Sequence, residues 1–301
     1  MSITSNRRRN SRFRRTQRSA YFYVLPAVII FTLLIVLPGL HTLYLSFVNW
    51  DGLTAATSAG VDNYLALVQD PLLLGALKNA LVLLFFFTLL PILLALLVTA
   101  LIGPGPRPGL TVLRTVYFLP QVVPLVAVGI IWRWMYNADG VVDSTLGFFG
   151  IAGPVEGWLG NFTTALPAIG LVGTWALYGV CLTLFLTGVQ KIDSGLYDAV
   201  TVDGGGRIWQ FFAVTLPSLR REIALAASIT GIAALATFDL IFIATRGGPG
   251  NSTTVPGLLV YRLAFTTGEI GAASALAICL MVITGLYVVL VNKIDRSGAE
   301  S

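Results

Sequence analysis

KIDSGLYDAVTVDGGGRIWQFFAVTLPSLRRE, residues 191–222, is the stretch that decides how this chain is read. It is polar and turn-rich, yet apolar runs long enough to cross a bilayer flank it on both sides. Ser194 is placed to cap a short helix that carries Leu196, Ala199 and Val200 on one side, with Tyr197 and Asp198 beside them. The glycines 204–206 must end or sharply turn that helix, because glycine tolerates backbone angles that other residues resist. A second short amphipathic piece, 208–214, carries Trp209, Phe211 and Phe212. Pro217 then fixes where the chain turns back. The expected product is a helix-turn-helix elbow whose exposed aromatic and small residues suit a groove on a partner.

Working outward, the surroundings are membrane-like. Hydrophobic residues make up 56% of the chain and charged residues 11%, against about 25% charge in soluble domains. Mean hydropathy is +0.83. So little polar surface does not coat a globule of this size in water, and hydrocarbon is the natural solvent. Six spans are expected, over 21–40, 77–102, 112–136, 163–189, 223–245 and 271–291. Twenty residues at 1.5 Å rise give about 30 Å, one hydrocarbon core. The first run is too long for a signal-peptide core and has no clear small-residue cleavage site, so it is read as a retained helix. Pro26, Pro38, Pro91, Pro120 and Pro124 mark expected bends. Residues 49–76, with a short helix at 63–68, and 137–162 read as extramembrane loops. GPGPRPG at 103–109 reads as a tight loop, and RGGPGNSTTVPG at 246–257 as another.

An even number of spans puts both termini on one side. Of the 19 Lys and Arg residues, 15 fall on that side, seven of them in the tail that precedes Tyr21. The positive-inside rule therefore places both termini and the 191–222 elbow in the cytoplasm. The organisation is a basic tail over 1–20, a six-span domain over 21–291 and a short polar tail over 292–301. The clustered arginines suit a membrane surface rather than nucleic acid.

Several chemistries find no support. Cys181 and Cys279 lie in separate apolar runs without metal-ligand spacing, and His41 is the single histidine. The three glycines are followed by no Gly-Lys-Ser/Thr, so they are not a nucleotide-phosphate loop. No catalytic constellation is present, and the chain reads as a non-enzyme that binds no cofactor or metal itself. Asp239 is the one acidic residue expected well inside a span, where a charge costs roughly 2.5–3.5 kcal/mol on insertion scales. It is a pathway-lining group or the partner of Arg133 or Arg246, and the residues leave both open.

The elbow resembles the signature of permease subunits of binding-protein-dependent ABC importers. That signature is Glu-Ala-Ala, three residues, Gly, nine residues, Ile, one residue, Leu-Pro. Here it reads Asp198-Ala199-Val200, Gly204, Val214, Leu216-Pro217, with every spacing kept and three conservative replacements. The resemblance runs from about Tyr21 to Val291. It is closest to the carbohydrate branch of maltose, glycerol-3-phosphate and multiple-sugar permeases. Supporting stretches are YFYVLP at 21–26, LYLSFVNWDG at 43–52, NYLALVQDP at 63–71, RTVYFLPQVVP at 114–124, IIWRWMYNADG at 130–140, ATFDLIFIATRGGPGNSTT at 236–254 and GAASALA at 271–277.

The resemblance implies an all-α, six-span type I importer permease in a bacterial or archaeal cell membrane. It implies a second, homologous permease and two ATPase subunits, which use ATP and Mg. It also implies an extracytoplasmic binding protein that delivers a sugar or sugar derivative. Tyr197, Asp198, Ala199, Val200, Asp203, Gly204, Val214, Leu216 and Pro217 would form the ATPase-coupling loop. Trp175, Tyr178, Thr230, Thr237 and Asp239 would line the sugar pathway, although each taken singly also suits plain helix packing. Two rival classes stay open: an ion-coupled secondary transporter, which would want more intramembrane charge than Asp239 alone, and a membrane scaffold.

Overall fold

The computed structural model describes residues 23–103 and 109–297. The arginine tail and Arg107 lie outside them. Among the described residues the regular structure is helical apart from one short hairpin, in which the two-residue strand β1 (Val48–Asn49) pairs antiparallel with the two-residue strand β2 (Thr57–Ser58). Among the described residues four helices are long and apolar enough to cross a membrane: α1 (Tyr23–Leu45), α3 (Pro71–Ile102), α7 (Ala165–Val189) and α13 (Ile270–Ser297), whose apolar part is Ile270–Lys293. Between the first two lies α2 (Asp62–Gln69), the short helix expected in the first loop.

The other two expected spans are divided. The third becomes α4 (Leu110–Val122) and α5 (Leu125–Met135), which meet at an angle of 100°. Pro124 explains the position of the bend, since it forces the preceding Val123 out of the helical region, to ψ 127°. The fifth becomes α10 (Arg220–Leu235) and α11 (Asp239–Ala244), parted at residues 236–238. No proline or glycine stands at that break. Instead Thr237 is buried and its carbonyl lies against Gly257 of α12 (Pro256–Arg262), so packing makes it.

Helix starts also shift with local chemistry. The second span begins at Pro71 rather than at residue 77, because the Asp70 carboxylate accepts the Leu72 N–H at 2.8 Å and Pro71 occupies the first turn. The 137–162 loop contains α6 (Val141–Phe148). Outside the spans, Asp51 Oδ1 accepts from the Thr54 and Leu53 N–H groups and from the Thr54 hydroxyl, which holds its carboxyl below the usual carboxylate range and knots the chain after β1.

Three other prolines, two in the spans and one in the elbow, share a different device. The turns Thr32–Val36, Phe85–Leu89 and Phe211–Thr215 are π-helical, and each ends two residues before a proline, at Pro38, Pro91 and Pro217. In each case the residue just before the proline donates its N–H five residues back: Leu37 to Thr32, Leu90 to Phe85, Leu216 to Phe211. Proline has no N–H and crowds the carbonyl four residues back, and a widened turn relieves that crowding without a sharp kink.

The core is built around α7, which is apolar on every side and largely buried. Its glycines admit neighbours to the helix axis. A Cβ at Gly173 would strike the Phe87 ring, one at Gly179 the Tyr117 carbonyl, and one at Gly188 the Leu219 side chain at 2.5 Å. One cluster joins Leu83, Phe87, Val128, Ile169 and Val172 to Ala234 and Leu240. A second joins Ile92, Ala95, Leu182, Phe185 and Val189 to Leu219 and Ala226. Leu219 is fully buried. It is the residue that ties the end of the 191–222 stretch to the body of the molecule.

Candidate functional site

The elbow forms as two short helices with a hard turn. α8 (Ser194–Val202) is capped by Asp193, whose Oδ1 accepts the Gly195 N–H at 3.0 Å; Ser194, the expected cap, is instead its first helical residue. Aspartate and serine are equal in capping strength, and the extended backbone of Asp193 (φ −63°, ψ 129°) settles the choice. At the other end Gly204 adopts φ +79°. The Gly205 N–H reaches the Val200 carbonyl at 2.8 Å and the Gly204 N–H reaches the Thr201 carbonyl at 3.0 Å. Those two bonds are the Schellman stop, which needs a left-handed residue at Gly204.

The three glycines do different work. Gly204 supplies the torsion. Gly205 supplies space, since a Cβ there would meet Val200 Cγ1 at 2.5 Å and Trp209 Cδ1 at 2.7 Å. Gly206 has an ordinary extended backbone and open space around it. Gly205→Ala is therefore expected to lower coupled transport several-fold, and Gly206→Ala to leave it unchanged, both measured in vesicles at equal protein level.

The returning helix α9, residues 207–218, is clamped to α8. The buried Tyr197 hydroxyl meets Thr215 Oγ1 at 3.0 Å. Gln210 Nε2 donates to Thr201 Oγ1 at 2.9 Å. Tyr197 thus points inward, away from Asp198, and with buried Val214 and half-buried Leu216 holds the elbow together. Asp198, Ala199, Asp203 and Pro217 point outward. They share the surface with Leu196, Val202, Ile208, Trp209 and Phe212, all exposed. The outer face of the elbow is therefore strongly apolar and carries two carboxylates, an exposed apolar patch larger than a surface in water usually shows.

The five residues expected along a pathway do not gather in one place. Trp175 and Tyr178 lie together on α7 and extend into an aromatic strip: Trp175 sits 5.6 Å from Trp132, and Tyr178 sits 5.3 Å from Tyr117, both edge to face. The bend between α4 and α5 brings Tyr117 and Trp132 there. Reading the sequence for spans missed those two; the signal available was their aromatic type in the span that carries Pro120 and Pro124. Thr230 is fully buried and turns its hydroxyl back onto the Ala226 carbonyl at 2.8 Å. Thr237 is buried at the helix break. Asp239 is exposed, in the first turn of α11, so it is not inside an unbroken span as expected. Among the described residues it pairs with neither Arg133 nor Arg246; the Arg246 carbonyl is held instead by Arg262, whose other arm reaches Asn251 at 2.8 Å.

Long apolar helices around a packed central one, with an elbow projecting from the bundle, are the architecture of a helical membrane protein. The chain belongs to the family described as binding-protein-dependent transport system inner membrane component, which matches residues 105–297 and so includes the elbow. Relatives extend the match over nearly the whole chain. The diacetylchitobiose uptake system permease NgcF of Streptomyces coelicolor is 31% identical, covering 96% of this chain and 85% of its own. The multiple sugar-binding transport system permease MsmF of Streptococcus mutans is 33% identical, covering 86% and 89%. In three dimensions the chain superposes on a bacterial ABC transporter that imports alginate, with a TM-score of 0.78 at 23% identity, covering 96% of this chain and 99% of that one. The all-helical importer-permease fold expected from the sequence is thereby shown.

Proposed function

We propose that this chain is the permease of an ATP-driven importer for a sugar or sugar derivative, and that residues 191–222 receive the motor. The observation that carries the docking is the elbow itself: pre-formed, turned at Gly204, apolar outside and rooted by Leu219 in the core. A groove on an ATPase subunit takes the knob, and closure of two such subunits around ATP and Mg moves the elbow on this chain and on a second, homologous permease. The charge bias supports a cytoplasmic position for the elbow and for both termini. In this reading residues 1–20 are a basic tail, 21–291 the span domain and 292–301 a short polar end.

The sugar class rests on the relatives, whose names include diacetylchitobiose and multiple-sugar uptake. It is supported by the aromatic strip, since flat aromatic faces stack on sugar rings. Trp175 and Tyr178, joined by Tyr117 and Trp132, are assigned to the pathway wall. Thr230 and Thr237 are assigned to its packing, and Asp239 to an accessible break along it. An extracytoplasmic binding protein delivers the substrate, as supported by the similar alginate transporter, whose structure was solved with its periplasmic protein bound to an alginate pentasaccharide.

The test is deletion of residues 194–218 in the assembled transporter. The chain should still insert, while transport and substrate-stimulated ATP hydrolysis disappear. Retained coupling in the deletion overturns the docking role. Transport driven by an ion gradient in ATP-free vesicles overturns the ATP-driven reading.

A further inference from the structure

We infer that the elbow is also a binding site for an anionic phospholipid, held between α9 and the end of α3. Two adjoining spaces carry this. One is an apolar groove of about 670 Å³ along α3, whose wall includes Leu93, Leu97, Leu101 and Phe212. The other is a smaller polar cleft of about 210 Å³, lined in part by Thr99, Tyr197 and Gln210. Arg207 lines both, as do Ala100, Leu101 and Phe211, so the two are continuous and Arg207 stands at their border. The pair is amphipathic in the sense of a lipid: a polar end with a cation, then an oily trough.

Three further features choose the occupant. Leu93, Leu97 and Leu101 are spaced by four, form one stripe and are exposed to 51%, 57% and 70%, so the groove opens on the outer side of a span, away from the packed core. From Leu93 to Leu101 is about 12 Å of helix, room for a stretch of acyl chain running along the bundle. Arg207 is the one charged residue on either wall, and among the described residues it has no ion-pair partner. A cation without a counter-ion beside an oily trough selects a phosphate on a chain. The chain's own arginine tail is a poor occupant, because it would set like charge against Arg207. A lipid seated there touches the second elbow helix along Ile208, Phe211 and Phe212, so headgroup composition becomes an input to the position of the elbow.

The inference rests on the reading that the elbow lies at a membrane face, but not on the ATPase docking there. Intact transporter is equilibrated with vesicles of equal phosphatidylglycerol and phosphatidylcholine of the same acyl chains, then purified, and its retained lipid is measured by native mass spectrometry. Phosphatidylglycerol should be retained over phosphatidylcholine, and Arg207→Gln should lower its retention about five-fold with phosphatidylcholine unchanged, the size expected for one basic group at a charged surface. Leu97→Trp, which fills the trough, should lower both. Equal retention of the two lipids by the wild type, or an unchanged ratio in Arg207→Gln, overturns the site. So does a photo-crosslinker at residue 97 that captures the second permease instead of lipid. Lipid retention is read without ATP, so retained coupling in the 194–218 deletion tells against the docking alone, and equal retention of the two lipids by a wild type with normal coupling tells against the lipid site alone.

Discussion

Gly204→Pro should abolish transport and substrate-stimulated ATP hydrolysis while leaving the protein in the membrane. The reasoning starts at the backbone. Gly204 holds φ +79°, and the Schellman bonds from Gly204 and Gly205 exist only in that geometry. Proline locks φ near −65° and removes the N–H that reaches the Thr201 carbonyl. The turn cannot then form, at a cost of at least about 3 kcal/mol, which lowers the population of correctly turned elbow roughly 100-fold. Gly204→Ala is the graded version. An alanine pays about 1–2 kcal/mol for the left-handed torsion and meets no steric obstacle, since nothing lies within 4 Å of its Cβ. It should therefore keep a measurable fraction of activity. Vesicle transport and ATP hydrolysis measured on the same preparations decide the matter. Wild-type coupling in Gly204→Pro, at normal expression, would remove the elbow from the mechanism.

The elbow was legible because its chemistry is local. Gly204, Gly205 and Pro217 all act within a few residues of themselves, so spacing alone located the turn and the two helices, while the cap lay one residue earlier, at Asp193, than the sequence suggested. Its inner contacts were less legible. Tyr197 reads as a surface neighbour of Asp198, but Thr215, eighteen residues on, takes its hydroxyl and turns it inward. The long spans were legible for a different reason: hydrocarbon demands a continuous apolar run, and such runs are visible without tertiary knowledge. Where the outline failed, a distant partner intervened. The break at 236–238 carries no helix-breaking residue and follows from packing against α12. The 100° bend had its place announced by Pro124, but not its size. Asp239 looked like a buried charge only because an unbroken helix was assumed around it; once α11 starts at Asp239 the carboxylate is exposed. The aromatic strip needed that same bend to bring Tyr117 and Trp132 onto α7.

The second large effect lies where the elbow enters the core. Leu219→Ala should leave motor docking intact and cut the number of substrates moved per ATP hydrolysed. Leu219 is fully buried among Phe185, Leu186 and Val189, and it fits against Gly188 where α7 ends. Removing three carbons from such a site costs about 2–5 kcal/mol, the spread reflecting how far the cavity can collapse. None of the exposed knob residues changes, so on the proposed docking an ATPase subunit should still associate while the elbow should no longer move α7 with it. Gly188→Ala tests the same joint from the other side. Its new methyl would stand 2.5 Å from Leu219 Cδ2 and 3.0 Å from the Glu222 side chain, an overpacking that costs typically 1–3 kcal/mol. The double variant is the diagnostic one, because the alanine methyl at 188 enters space that the leucine has vacated. Its loss should be smaller than the sum of the two single losses, by about 0.5–3 kcal/mol for residues in contact. Simple additivity in transport per ATP would mean that the two side chains act separately, and that force passes from the elbow to the spans by a route other than this contact.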